Sequence, residues 1–134
     1  MVVAVGVDLT EVDRIAYLAE RYGTRFLGRI FTAAEQELCG GDSRRLAGRF
    51  AAKEAVMKAL GTGWALGVGW QDIHIGNREG GAPVVHLTGK AAEVAAARGI
   101  SRWHLSLSHT ATAAIAMVVA EGEDGFCGWS PDKK

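Results

Sequence analysis

Short apolar runs alternate with longer amphipathic stretches along this chain, and the alternation predicts a mixed fold. The valine-rich residues 2–7 predict a buried strand that ends at Asp8. Apolar residues at helical spacing then predict three helices, over residues 11–22, 33–38 and 46–60. Thr32 and Glu35 match a capping box at the start of the second helix. We therefore expect one strand followed by three helices.

The second half of the chain changes to alternating apolar and polar positions. Residues 70–75 predict a half-buried strand with Ile73 and Ile75 on one side, and the turn-rich segment GNREGGAP makes 71–87 a hairpin with a long loop. One alanine-rich helix and two strands are predicted to follow, at 90–98, 103–108 and 113–120. The last strand is expected to be central and antiparallel. The order β-α-α-α-β-β-α-β-β predicts an α+β fold.

The chain length of 134 residues predicts one compact domain, which we place at residues 1–121. Glycines, a proline and a charged end make residues 122–134 a predicted mobile tail. Lys and Arg total 15, as do Asp and Glu, so no overall field attracts nucleic acid or an anionic membrane. The apolar start lacks a basic flank, and the run 111–120 is about half the roughly 20 residues that span a bilayer. We expect a cytoplasmic protein that binds neither nucleic acid nor membrane.

The helix predicted at 46–60 carries four charges, although nearly every side of it is apolar or small. Its core stripe consists of Leu46, Phe50, Met57 and Leu60, and its opposite side of Gly48, Ala51, Ala52, Ala55 and Ala59. Periodicity alone favours a surface pair between Glu54 and Lys58, with Lys53 snorkelling out of the core. The alternative is a cleft in which Arg49 and the lysines meet phosphates and Glu54 meets a metal.

Five segments of the chain occur in a characteristic order: GVDLTEVDRI at 6–15, FLGRIFTAAE at 26–35, LAGRFAAKEAVMKALGTG at 46–63, WQDIHI at 70–75 and LSLSHT at 105–110. Together they resemble the holo-acyl-carrier-protein synthase family of 4′-phosphopantetheinyl transferases, over nearly everything from Val3 to Glu121. The resemblance implies that family's fold, an antiparallel sheet with packed helices. It also implies magnesium-dependent transfer of the phosphopantetheine arm of coenzyme A to a serine of an apo acyl carrier protein, with release of adenosine 3′,5′-bisphosphate.

By the same resemblance, Asp8 and Glu54 are expected to be the Mg²⁺ ligands. Magnesium commonly takes one or two carboxylates together with substrate phosphates, so two acids suffice. Glu54, or a water that it holds, is the candidate proton acceptor. Lys58 is the candidate catalytic cation on the pyrophosphate. Lys53 has no assigned contact and could be structural.

The remaining coenzyme A contacts are also carried over from the family. Arg49 is expected at the 3′-phosphate, where its planar fork suits a phosphate monoester. The other implied contacts are Gly61, Gly63, Pro83, Ser108 and His109. Two positions depart from the family pattern. A common G-K-P sequence is here Gly81-Ala82-Pro83, which removes a cation, and the acid that some relatives carry after the histidine is Thr110.

A basic stripe with an apolar insert lies on the first predicted helix, where residues at helical spacing are Arg14, Leu18, Arg21 and Arg25. Such a stripe is most often solvated surface. In the resembled family this helix docks on the acidic helix of the carrier protein, and we therefore interpret the stripe as a docking surface.

The oligomeric state and two alternative functions are the last expectations from the sequence. The resemblance implies a homotrimer with sites at its three interfaces, because monomeric relatives hold two such domains in one chain. A neighbouring subunit would then cover the small side of the 46–60 helix. Two other functions stay open: a magnesium-dependent nucleotide phosphohydrolase and a non-catalytic module that binds a carrier protein or a nucleotide.

Overall fold

The computed structural model describes residues 1–61 and 67–123. Its elements are, in chain order, β1 (Val2–Glu11), α1 (Val12–Tyr22), α2 (Thr24–Ile30), α3 (Ala33–Cys39), α4 (Ser43–Leu60), a 3₁₀ turn (Trp70–Asp72), β2 (Ile73–Asn77), β3 (Pro83–Leu87), α5 (Gly89–Ala97), β4 (Arg102–His109) and β5 (Ala113–Glu121). The α+β prediction is confirmed. The boundary at 121 and the tail at 122–134 stay predictions, since residues 124–134 lie outside the described part.

Two antiparallel sheets form the β layer. The larger has the strand order β1-β5-β4, so the prediction of a central, antiparallel last strand is confirmed. The smaller is the β2-β3 hairpin, in which Ile73 pairs with Leu87 and Asn77 pairs with Pro83. Ile73 and Ile75 are fully buried, as their alternation with polar residues predicts.

Two local predictions were wrong, and one helix was missed. Strand β1 does not end at Asp8 but continues to Glu11, because Leu9 and Thr10 pair with residues of β5 that lie about a hundred positions away in sequence. The strand predicted at 70–75 begins at Ile73, after a 3₁₀ turn closed by the Asp72 carboxylate, which accepts the Gly69 N–H at 3.0 Å. Helix α2 was not predicted, since seven residues after Gly23 are too few to display a helical period.

Helix α4 is enclosed by its own protomer. Its small residues Ala51, Ala55 and Ala59 belong to the same core cluster as Ala116 and Val118 of β5. The expectation that a neighbouring subunit covers this side was therefore wrong. Between residues 46 and 60, Glu54 is half-buried and Lys58 is exposed, while every other side chain is buried. From residue 46 onward, the helix thus offers two charged groups to solvent, Glu54 and Lys58.

The other two charges between residues 46 and 60, Arg49 and Lys53, are buried. Lys53 does not snorkel: its side chain is fully buried and forms an ion pair of 2.7 Å with Glu35. The predicted capping box at the start of α3 is confirmed, with Thr32 accepting the Glu35 N–H and Glu35 accepting the Thr32 N–H. Glu35 therefore serves the helix end and the buried pair together. None of the helices in the described ranges is long and apolar enough to cross a membrane.

Candidate active site

The approach of β1 to α4 is set by Gly6. A Cβ at this position would overlap the carbonyl oxygen of Ala55 and lie 2.9 Å from its carbonyl carbon. Glycine is therefore required for the strand to touch the helix backbone. Asp8 follows two residues later on the same face of the strand, and Glu54 and Lys58 flank the contact on the helix. Close packing thus brings both carboxylates and a cation to one crossing.

Asp8 is held in place by neighbours on both sides. Its Oδ2 accepts the hydroxyl of Thr10 at 2.8 Å, and its Oδ1 lies 3.2 Å from the Nζ of Lys58. Lys58 also donates to the carbonyl oxygen of Val7 at 2.9 Å. Among the described residues the ion-pair partner of Lys58 is thus Asp8, and the surface pair with Glu54 that periodicity favoured was wrong. The role of Thr10 was missed, although it stands two residues after Asp8.

The pKa of Glu54 is shifted by its burial and by the charges of this cluster. Burial raises the pKa of its carboxyl group, and the negative charge of Asp8 raises that pKa further. The positive charges of Lys58 and Arg14 oppose the rise. The two acids are therefore close enough to repel each other, and the two cations partly offset that repulsion.

The carboxylate pair fits a hard divalent cation. A cation between Asp8 and Glu54 would relieve their repulsion, and carboxylate oxygens are the ligands that Mg²⁺ prefers. In the described part of the chain no three or more His, Cys, Asp or Glu side chains form a group able to hold a metal ion. A metal here would therefore need substrate oxygens and water to complete its shell, which suits magnesium.

A second group of predicted residues lies around Arg49. This side chain is 9% exposed, and its Nη2 donates to Oδ1 of Asn77 at 2.5 Å. Asn77 in turn donates to the carbonyl oxygen of Gly81 in the hairpin loop, at 2.8 Å, and pairs with Pro83 across the hairpin. The buried Nε of Arg49 has no hydrogen-bond partner among the described residues. Asn77 was missed by the sequence analysis, because nothing local marks it.

The other predicted contacts lie at element ends. Ser108 and His109 are exposed at the end of β4, where Ser108 pairs with Ile115. Gly61 follows α4 with φ of 88°, a conformation that favours glycine. Gly63 falls outside the described residues.

The two groups point to opposite sides of α4. At 100° per residue, Arg49 is turned by about 140° from Glu54 and by about 180° from Lys58. A single protomer therefore presents a carboxylate and lysine cluster on one side of the helix and the Arg49 cluster on the other.

Two members of the predicted docking stripe, Leu18 and Arg25, line a groove between α1 and α2, and the placement of Arg25 on the first helix was wrong because this residue belongs to α2. Arg14 lies over the ring of Phe50 at 5.8 Å, and Arg21 lies over the ring of Tyr22 at the same distance. The groove encloses about 380 Å³ and is lined by Leu18, Tyr22, Arg25, Phe26, Arg29, Ile30 and Trp70. We call it the α1–α2 groove. Phe26 and Arg29 were missed because α2 was not predicted.

Comparison with known proteins identifies the family of this chain. Residues 4–118 match the model of the 4′-phosphopantetheinyl transferase superfamily. The chain belongs to this superfamily. Holo-[acyl-carrier-protein] synthase from Koribacter versatilis is 49% identical over 124 residues, with 90% of this chain and 99% of that protein covered. The enzyme of the same name from Desulforudis audaxviator is 52% identical over 127 residues, with 91% and 95% covered.

Solved structures agree with the superfamily assignment. The crystal structure of Helicobacter pylori holo-[acyl-carrier-protein] synthase in complex with coenzyme A matches with a TM-score of 0.79 and 33% identity, and covers 87% of this chain and 99% of that one. The family resemblance and the fold expected from it are therefore confirmed. The roles of individual site residues stay predictions.

Proposed function

We propose that this chain transfers the 4′-phosphopantetheine group from coenzyme A to a serine of an apo acyl carrier protein and releases adenosine 3′,5′-bisphosphate. The observation that carries the proposal is the cluster of Asp8, Glu54 and Lys58 at the crossing of β1 and α4, in a member of the 4′-phosphopantetheinyl transferase superfamily. These are the groups that a diphosphate substrate and its attacking hydroxyl require.

The reaction needs a proton acceptor and a cation from the protein. The serine oxygen forms a bond to the β-phosphorus of coenzyme A, and the bond from that phosphorus to the bridging oxygen breaks. The bridging oxygen leaves with the electron pair on adenosine 3′,5′-bisphosphate. Glu54, directly or through a water, takes the proton of the serine hydroxyl. Lys58 neutralises charge that develops on the pyrophosphate.

Magnesium is part of the proposal, with Asp8 and Glu54 as its protein ligands. When bound, Mg²⁺ would neutralise negative charge on the two phosphates. The Thr10 hydroxyl donates a hydrogen bond to Asp8 and so orients its carboxylate. Lys58, whose Nζ lies 3.2 Å from Asp8, is near enough to reach the same diphosphate.

We further propose a homotrimer in which each site is shared by two subunits. The outer face of the large sheet is apolar and solvent-accessible in the protomer, with Leu9 63%, Val5 59% and Val7 52% exposed. An antiparallel sheet can leave one face in water, but that face is then usually polar. Sharing also explains how Arg49, on the far side of α4 from Lys58, could contact the same nucleotide. In this arrangement coenzyme A is bound by Arg49, Gly61, Gly63, Pro83, Ser108 and His109.

The carrier protein is proposed to dock on α1 and α2. Arg14, Leu18, Arg21 and Arg25 supply cations and an apolar contact, and the α1–α2 groove adds Arg29 and aromatic walls. Basic residues around an apolar groove suit an acidic amphipathic helix. The cytoplasmic location stays a prediction from the sequence.

The test is to incubate the purified protein with coenzyme A, Mg²⁺ and an apo acyl carrier protein, and to weigh the carrier by mass spectrometry. We expect a gain of one phosphopantetheine group on the serine, and no gain when that serine is replaced by alanine. Loss of coenzyme A without a gain on the carrier would indicate a phosphohydrolase. Binding without any chemical change would indicate a non-catalytic module.

A further inference from the structure

A buried ion pair joins α4 to three segments that surround it. Lys53 and Glu35 are both fully buried. The ammonium group of Lys53, 2.7 Å from Glu35 Oε1, also donates to the carbonyl oxygens of Ile30 at 2.9 Å, Trp70 at 3.0 Å and Ile73 at 2.7 Å. One side chain of α4 therefore holds the end of α2, the 3₁₀ turn and the start of β2.

Glu35 extends the connection to α3 and β2. Its Oε1 accepts the N–H of Thr32 at 2.8 Å, and its Oε2 accepts the N–H of Ile75 at 2.7 Å. Burial lowers the pKa of Lys53, and the charge of Glu35 opposes that change, so the ammonium form depends on its partner. Each member of the pair thus needs the other.

Two of the carbonyl groups bound by Lys53 belong to walls of the α1–α2 groove. Ile30 of α2 and Trp70 of the 3₁₀ turn both line the groove and lie forty positions apart in the chain. The ring of Trp70 is stacked on Phe50, with centroids 5.2 Å apart. Gln71 adds a second tie between the walls, since its side-chain amide donates to the carbonyl oxygen of Phe31 at 3.2 Å. Polar contacts between distant segments therefore join two of the residues that line the groove.

We propose that the Lys53–Glu35 pair is a positioning unit for carrier recognition. By holding the backbones of Ile30 and Trp70, it sets the spacing of the groove walls and thus the shape that the carrier meets. It touches no substrate itself, because both side chains are fully buried. The inference rests on the proposed function. Glu54 directly follows Lys53 in α4, and its side chain points about 100° away around the helix axis. One side of α4 therefore serves carrier recognition, and another serves phosphate chemistry.

The test compares two variants of the full chain, Lys53→Met and the double variant Lys53→Met with Glu35→Gln. The double variant leaves no unpaired buried charge and protects the test against simple misfolding. The Michaelis constants for apo carrier and for coenzyme A are measured separately, with thermal unfolding as a check on the fold. Val118→Ala, in the core beneath the sheet, is the control for a general loss of stability.

We expect the KM for apo carrier to rise about tenfold in a folded variant, while the KM for coenzyme A stays within about twofold. Val118→Ala should leave both constants unchanged. If the parent transfers and the folded variants keep its carrier KM, or if both constants rise alike, this inference fails and the proposed function stands. If neither variant folds, the pair is a requirement of folding and the inference also fails. Absence of transfer by the parent overturns both.

Discussion

Gly6→Ala tests whether the contact between β1 and α4 builds the candidate site. The added methyl group would overlap the Ala55 carbonyl oxygen, and it would lie 2.9 Å from the Ala55 carbonyl carbon and 3.2 Å from the Ala59 nitrogen. All three atoms belong to the backbone of α4, so no flexible side chain can move aside. The strand itself must retreat, or the helix must bend.

The cost follows from this geometry. Overpacking of a core costs about 1–3 kcal/mol, and a clash with backbone on the helix side belongs at the upper end, about 3 kcal/mol. For a domain of this size, that loss corresponds to a melting temperature about 10 °C lower. A strand displaced by roughly 1 Å also moves Asp8 relative to Glu54, and a misplacement of this size can reduce turnover about 100-fold.

Two assays check the prediction: thermal unfolding by circular dichroism, and phosphopantetheine transfer at 25 °C, where the variant should remain folded. Gly28→Ala is the matched control for stability, because it makes the same change in α2 and the added Cβ meets nothing within 4 Å. We expect this control to be neutral or more stable by about 0.5–1 kcal/mol, the usual gain for glycine to alanine in a helix. A Gly6→Ala protein that melts within about 2 °C of the parent would refute the reasoning.

Three further predictions concern the catalytic cluster, docking and assembly. Glu54→Gln should reduce transfer about 100-fold or more without changing the melting temperature. The reason is that the substitution removes a metal ligand and proton acceptor from a half-buried position but leaves the core packing intact. Full activity, measured by mass spectrometry of the carrier, would contradict the role assigned to Glu54. Arg14→Glu should raise the KM for carrier more at low than at high salt, because exposed charges are screened, and an unchanged KM at low ionic strength would count against the docking stripe. Val7→Asp should yield monomers by light scattering, because it charges the apolar sheet face, whereas Leu38→Asp, exposed on α3, should not; a trimeric Val7→Asp protein would show that this face is not the interface.

Local patterns predicted the burial of side chains well. The apolar stripe and small side of α4, the buried Ile73 and Ile75, and the capping box of Thr32 and Glu35 all follow from residue types at short spacing. Periods of 3.6 and 2 encode which face of an element is apolar, so nearby residues suffice to read them. The family motifs likewise lie in continuous segments.

Long-range partners could not be predicted in this way. The local sequence around Lys53 is the same whether its side chain snorkels to solvent or forms a buried ion pair. Its partners in the structure, Glu35, Ile30 and Ile73, come from other segments. Asp8 was expected to end a strand, yet β5 continues the pairing beyond it.

The amino-acid sequence alone was enough to determine the α+β class, the enclosed helix with its four charges, and the family. The partners of those charges were settled by tertiary packing: Asp8 for Lys58, Glu35 for Lys53 and Asn77 for Arg49. The physical reason is that the buried charges of Lys53 and Arg49 need partners. The identity of each partner, including that of the exposed Lys58, depends on which distant segment packs against the helix.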